Sequence, residues 1–204
     1  MRPSTLRFRT LHGADLRPWL PELGRLRIAV FRDWPYLYEG DEAHEAKYLR
    51  GYAETPGAAV IVAFDGEQPV GAATCEPLAG THGPVRDTFL AAGLDPARFC
   101  YFGESVLLPA WRGQGAGLRF FALREAQAAR LGADFATFCA VRRDPADPRR
   151  PAAYVPLDGF WRRRGYTPYP ALTCRMTWRE PGGAAEIPHE LSFWMKPIAG
   201  APLP

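Results

Sequence analysis

The stretch "VLLPAWRGQGAG" (Val106–Gly117) leaves a chain few ways to fold. An apolar run reaches Pro109. Gly113, Gly115 and Gly117 then stand at alternate positions, and a helix-periodic segment begins at Leu118. Glycines between a strand and a helix let backbone N–H groups come close to whatever occupies the turn. The helix N-terminus adds partial positive charge, so the combination suits a phosphate. A Walker A loop would end in Gly-Lys-Ser/Thr, and here Gly117 is followed by Leu118 and Arg119. A dinucleotide fingerprint would place its third glycine at 118, which is Leu. On spacing alone, a tight turn without a ligand stays open.

The flanking pattern predicts the elements around this turn. Thr5–Thr10 alternates and predicts a strand. Leu16, Leu20, Leu23, Leu26, Ile28 and Val30 predict a helix from Leu16 to Phe31, with Pro18 and Pro21 near its first turn. "RDWPYLYEGD" breaks the pattern, and a second helix is expected over Asp41–Glu54. Ala58–Phe64 and Val70–Cys75, joined by "DGEQ", predict a hairpin. Residues 76–98 read as irregular with one short helix. Phe99–Leu108 reads as one long strand. The helix after the glycines is expected to bury Leu118, Phe121, Ala122, Ala126 and Ala129 and to end at Gly132. Asp134–Val141 predicts a strand covered on both faces. Leu157–Tyr166 predicts a short helix closing at Gly165, followed by two strands within 171–180 and 191–198. Strands mixed with helices predict a single domain over 1–204: an α/β (α+β) fold with a mixed sheet and helices on both faces.

Composition narrows the function classes. The net charge of +3 is too small to point to nucleic acid. No stretch approaches the about 18 consecutive apolar residues of a membrane span. "MRPSTLRFRT" lacks a signal-peptide run, so a cytoplasmic protein is expected. Cys75, Cys100, Cys139 and Cys174 lack paired metal-ligand spacing, and His12, His44, His82 and His189 are scattered. No metal is expected, and the thiols read as buried and reduced.

The glycine stretch resembles motif A of the GNAT superfamily of acyl-CoA N-acyltransferases, Arg/Gln-x-x-Gly-x-Gly/Ala. Here Arg112, Gly115 and Gly117 follow Pro109. "FWRRRGY" (Phe160–Tyr166) resembles the superfamily's later helix and its closing Gly-aromatic pair. The resemblance implies a mostly antiparallel central sheet with a V-shaped splay between two central strands, and acetyl-CoA in that V. It implies that backbone groups of Leu107 and Leu108 pair with the pantetheine amides. The N–H groups of Gly113, Gln114, Gly115, Ala116 and Gly117 would hold the pyrophosphate, and Arg112 would neutralise its charge. It further implies direct acetyl transfer to a primary amine, small or part of a peptide, by a monomer or homodimer. The alternative is a catalytically inactive acyl-CoA-binding module that acts in regulation.

Acyl transfer to an amine needs the amine neutral and the leaving thiolate protonated. Glu104 is the only carboxylate between Arg98 and Arg112. In an apolar setting it would be a base suited to neutral pH, and pairing to an Arg or to backbone is the competing reading. The superfamily's usual acid is a Tyr on the last helix. The matching position here is Trp161, and Tyr154 is the nearby substitute. Tyr166 reads as a core aromatic. The resemblance places the acceptor wall between the first two helices, where Arg32, Asp33, Tyr36 and Tyr38 stand. Acids amid aromatics suit a cationic amine, although an ordinary surface loop has the same composition. "RRDPADPRR" (142–150) reads as a solvated loop or as a border of either ligand site.

Overall fold

A computed structural model describes residues 6–81, 83–198, 200 and 202–204. Thr5, at the start of the expected first strand, and His82 lie outside the described residues. Strand β1 (Arg7–Leu11) leads through a 3-10 segment (Gly13–Trp19) into helix α1 (Leu20–Phe31). The helix therefore starts later than the leucine pattern predicts. Pro18 lies inside the 3-10 turn and Pro21 in the first α-helical turn, where the missing N–H is harmless. Helix α2 (Glu42–Glu54) begins where expected. Its cap, Asp41, accepts a hydrogen bond from the His44 N–H at 2.9 Å.

The hairpin is β2 (Ala59–Asp65) and β3 (Gln68–Pro77), and the short helix in the irregular segment is α3 (Pro84–Ala91). After β4 (Phe99–Tyr101) and β5 (Ser105–Leu107) come α4 (Ala116–Arg130), β6 (Phe135–Val141) and α5 (Asp158–Arg163). The last two strands, β7 (Thr167–Arg179) and β8 (Glu186–Pro197), form a long antiparallel hairpin. Strand order is β1-β2-β3-β4-β6-β8-β7, with β5 also on β3. Every pairing is antiparallel except β4 with β6.

Three apolar clusters cover the sheet. Ile61, Phe102, Phe120, Phe121, Phe138 and Trp194 pack under α4 and α5. The other face divides in two: Leu23, Leu26, Leu49, Val60 and Phe64 under α1 and α2, and Phe89, Phe99, Phe135 and Phe193 under α3. Helices thus lie on both faces, as the mixed sheet requires. No helix among the described residues is long and apolar enough to cross a membrane.

Two expectations need correction. Phe99–Leu108 is not one strand. Tyr101 pairs with Glu76 of β3 and with Thr137 of β6, and the Phe102 N–H still reaches the Thr137 carbonyl at 2.8 Å. From Ser105 the chain pairs with β3 alone. The break at Gly103–Glu104 is what opens the V between β5 and β6. Gly103 is required there. A Cβ would lie 2.2 Å from the Tyr52 hydroxyl and 2.6 Å from Thr74 Oγ1, too close for any real contact. Gly103→Ala should therefore destabilise the fold by about 1–3 kcal/mol, as overpacking does. A urea midpoint unchanged from wild type would show that the break tolerates a side chain.

The second correction concerns α4. Leu118 is 48% exposed, and Ala122, Ala126 and Ala129 are exposed too. The buried stripe is Ala116, Phe120, Phe121, Arg124, Gln127 and Ala128. Two polar residues on the inner face hid it from hydrophobic periodicity. Gln127 donates to the Gly57 carbonyl at 2.9 Å. Arg124 donates to the Glu104 carbonyl at 3.2 Å and lies over the Phe102 and Phe121 rings.

Candidate active site

The glycine turn stands at the mouth of the V. Pro109–Trp111 form a 3-10 turn. Gly113 and Gly115 then take φ of 76° and 83°, a region that favours glycine. Gly115 caps α4, and no acid lies in the helix's first turn. The first helical bond is Arg119 N–H to the Gly115 carbonyl. Among the described residues, no backbone carbonyl accepts from the N–H groups of residues 113–118, as expected at a helix start. Gly117 has ordinary helical geometry, but a Cβ there would meet the Phe160 ring of α5 at 3.5 Å. Ala116 is buried, and the Gln114 side chain folds onto the Ala110 carbonyl.

The free edge of β5 is narrower than expected. The Leu108 N–H donates to Val70 and its carbonyl accepts from Trp111, so both its backbone groups are engaged. Strand alternation turns the groups of Ser105 and Leu107 toward the open side. Arg112 Nε donates to the Leu107 carbonyl at 3.0 Å, which draws the guanidinium back along this edge.

Glu104 sits at the break, buried, on the face covered by α1 and α2. Its setting is not apolar. Oε1 faces Arg27 Nη1 at 2.5 Å, and Oε2 accepts from the Tyr48 hydroxyl at 2.7 Å. Arg27 also pairs with Glu45, which is fully buried. Burial alone would lower the Arg27 pKa. Glu104, Tyr48 and Glu45 outweigh it and hold the pKa well above its usual value. The network continues from Tyr48 to the Tyr52 hydroxyl at 3.1 Å, and Thr74 Oγ1 donates to Tyr52. Thr74 Oγ1 also accepts from the Glu104 N–H at 3.1 Å. Of this network, only Glu104 stood out in the sequence. Glu45, Leu49 and Tyr52 share an i, i+4, i+7 stripe, so a carboxylate on a buried helical face was the available signal.

The segment between α1 and α2 folds over the same face. Arg143 Nε and Nη2 donate to the carbonyls of Pro35 and Tyr36 at 2.6 and 2.5 Å, and Nη1 pairs with Glu180 at 2.5 Å. Trp178 Nε1 donates to the Tyr36 carbonyl at 3.0 Å. Arg143 is therefore a partly buried clamp rather than part of a solvated loop. The Tyr36 ring packs between Phe31 and Trp178. Burial first, then Cys139 and Glu104, raise its hydroxyl pKa. Tyr38 is partly buried, and burial followed by Glu45 raises its pKa. Asp33 is exposed, and Arg32 is exposed and paired with Glu39 at 2.8 Å. Leu37 holds φ of 51°, a strained value for a branched side chain. A groove of about 310 Å³ lies beside this segment, lined by Tyr38, Asp41, His44 and Arg179 among others. Neither Glu104 nor any glycine-turn residue lines it.

Tyr154 stands edge-on to Trp34, ring centroids 6.0 Å apart, which joins the 142–155 loop to the segment between α1 and α2. Burial and then Asp158 raise its hydroxyl pKa, so it stays protonated at neutral pH. Trp161 packs against Phe138 and Trp194 at 5.1 and 5.0 Å. Tyr166 is buried beside it and donates to Glu125. All four cysteines are buried and free.

An open, mostly antiparallel sheet splayed after Phe102, with a glycine turn and a helix at the mouth of the V, is the fold of the GNAT acyltransferases. Solved structures bear this out. The chain is similar to ribosomal-protein-alanine N-acetyltransferase from Brucella melitensis, with TM-score 0.60 and 16% identity over 95% of this chain and 99% of that one. It is similar to yncA from Salmonella typhimurium, described as a candidate acetyltransferase and solved with its cofactor acetyl-CoA. That TM-score is 0.59, with 14% identity and 98% of each chain covered. N-acetyltransferase from Staphylococcus aureus Mu50 gives TM-score 0.60 at 10% identity over 96% and 99%. No family model matches the sequence, and no curated protein matches it.

Proposed function

We propose that this chain is an N-acetyltransferase that moves the acetyl group of acetyl-CoA directly to a primary amine. The observation that carries the reading is the V between β5 and β6, with unpartnered N–H groups of residues 113–118 at its mouth. A pyrophosphate fits those groups, and no carboxylate in the first turn of α4 opposes it. The open edge at Ser105 and Leu107 suits the amides of pantetheine. Arg112 is exposed and can exchange the Leu107 carbonyl for phosphate.

The acceptor side is built from Arg32–Tyr38, clamped by Arg143 and closed by Tyr154. Glu104 lies under that segment and supplies fixed negative charge for an ammonium group. Tyr154 keeps its proton at neutral pH and serves as the acid for the departing thiolate. A panel of primary amines assayed with acetyl-CoA by thiol release tests the reading. No thiol release with any amine of the panel, while calorimetry still shows acetyl-CoA bound, favours the second reading, an inactive acyl-CoA-binding module. Trp161 supports that alternative, because its partly buried ring packs against Phe138 and Trp194 and offers no acidic hydroxyl.

The acceptor wall makes a separable prediction. Tyr36→Ala would remove a packed ring, so Tyr36→Phe is the cleaner change. Asp33→Ala with Tyr36→Phe should raise the acceptor KM about 10-fold and leave acetyl-CoA affinity within about twofold, since a weakened polar contact is worth about 1–2 kcal/mol. Loss of cofactor affinity with an unchanged acceptor KM would place the acceptor elsewhere.

A further inference from the structure

Resting on the acetyl-transfer reading above, we propose that Glu76, not Glu104, is the base that takes the proton from the acceptor ammonium. Glu76, Tyr101 and Thr137 form the last full row across β3, β4 and β6 before the sheet splays. Glu76 therefore stands at the closed end of the V, where the narrow acyl arm of the cofactor must end. It shares a sheet face with Thr74, two residues earlier, and so with Tyr52, which bonds Thr74, and with Tyr48, which bonds Tyr52 and Glu104.

The two carboxylates have opposite surroundings. Both oxygens of Glu104 are engaged, one by Arg27 and one by Tyr48, which leaves it poorly placed to accept a proton. Among the described residues, Glu76 has no cationic partner within ion-pair distance, and it is partly exposed. Facing it are Tyr52 from α2, Glu104 from the break and Tyr101 from β4. Arg27 of α1 is directed to Glu104 and Glu45 instead. Burial first, and the Glu104 charge second, push Glu76 up to about 7, against a smaller opposing effect of Tyr52. The geometry divides the labour: Arg27 and Tyr48 hold Glu104 as a fixed charge, and Glu76 has no such partners among the described residues.

The step balances simply. The ammonium N–H breaks and its proton moves to a Glu76 oxygen. The freed amine nitrogen bonds the thioester carbon as the carbon–sulfur bond breaks. The thiolate takes the Tyr154 proton. The N-protonated amide then gives up its second proton, which passes through water to the Tyr154 phenolate, and Glu76 returns its own proton to water. Glu76 acts when ionised, so kcat/KM should rise with pH through about 7 and level above it.

The test compares wild type with Glu76→Gln, using acetyl-CoA and the best amine of the panel. The variant should bind acetyl-CoA like wild type by calorimetry, which also shows that it folds. Its kcat/KM at neutral pH should fall by about 10² to 10⁴-fold, the range general-base catalysis supplies, and should recover toward wild type where the amine is itself neutral. A second readout needs no turnover. A carboxyl held above its unfolded value binds more protons in the native state, so wild-type stability should fall as pH rises from about 4.5 to about 7. Glu76→Gln should remove that part of the slope, and Glu76→Asp should restore some of it. A Glu76→Gln enzyme with the wild-type pH–rate profile overturns the base assignment alone. A wild type that binds acetyl-CoA and acetylates no amine overturns the acetyltransferase reading, and this inference with it.

Discussion

Gly115→Glu is expected to lower acetyl-CoA affinity by at least about 100-fold, a loss of about 2.7 kcal/mol or more. Two effects add. Gly115 holds φ of 83°, and an L-residue there costs about 1–2 kcal/mol of strain at the start of α4. The carboxylate then projects beside the N–H groups that would receive the pyrophosphate, and like charges at an interface cost several kcal/mol. A Cβ at this position meets nothing within 4 Å, so a clash with the protein is not the cause. Gly115→Ala separates the two effects, because it carries the strain without the charge and should lose much less affinity. Calorimetry of wild type and both variants checks this. Equal affinity for Gly115→Glu and wild type would remove the pyrophosphate from the turn.

Arg27→Met is expected to cost about 3–5 kcal/mol of folding stability at neutral pH, typical when one partner of a buried ion pair is removed. Glu45 is fully buried and Glu104 nearly so, and among the described residues Arg27 is the one cation that pairs with both. Without it two carboxylates lie side by side in a poorly solvated site. The added changes Glu45→Gln and Glu104→Gln remove those charges, so the triple variant should regain a substantial part of the loss. Urea denaturation measures each step. If Arg27→Met unfolds at the wild-type midpoint, the pair is not under the burial the structure gives it. If the triple variant is no more stable than the single one, lost packing of the Arg27 stem rather than unpaired charge is responsible.

Most of the element order was legible because it rests on local chemistry. The start of α2 near Asp41, Gly132 and Gly165 as helix stops, and "DGEQ" as a hairpin turn each act through neighbours a few residues away. The glycine turn was legible for the same reason, since strand, turn and helix are contiguous. The α4 face was misread because Arg124 and Gln127 belong to its buried side, and their partners, Glu104 and Gly57, are distant in sequence. The long strand was misread because apolar runs at 99–102 and 106–108 flank Gly103, Glu104 and Ser105, and three such residues do not by themselves end a strand. Its break depends on Tyr52 and Thr74 packing against Gly103.

The sequence by itself determined that a phosphate-suited turn joins a strand to a helix, and that Glu104 is the sole carboxylate along that strand. Tertiary structure alone decided what the carboxylate meets. Arg27 and Tyr48 come from two helices that precede Glu104 by more than fifty residues, and sheet register alone brings Glu76 into the last row before the splay. Whether a carboxylate is a fixed charge or a proton acceptor depends on the charges and water within a few ångströms of it. Those neighbours are set by folding, not by adjacency in the chain.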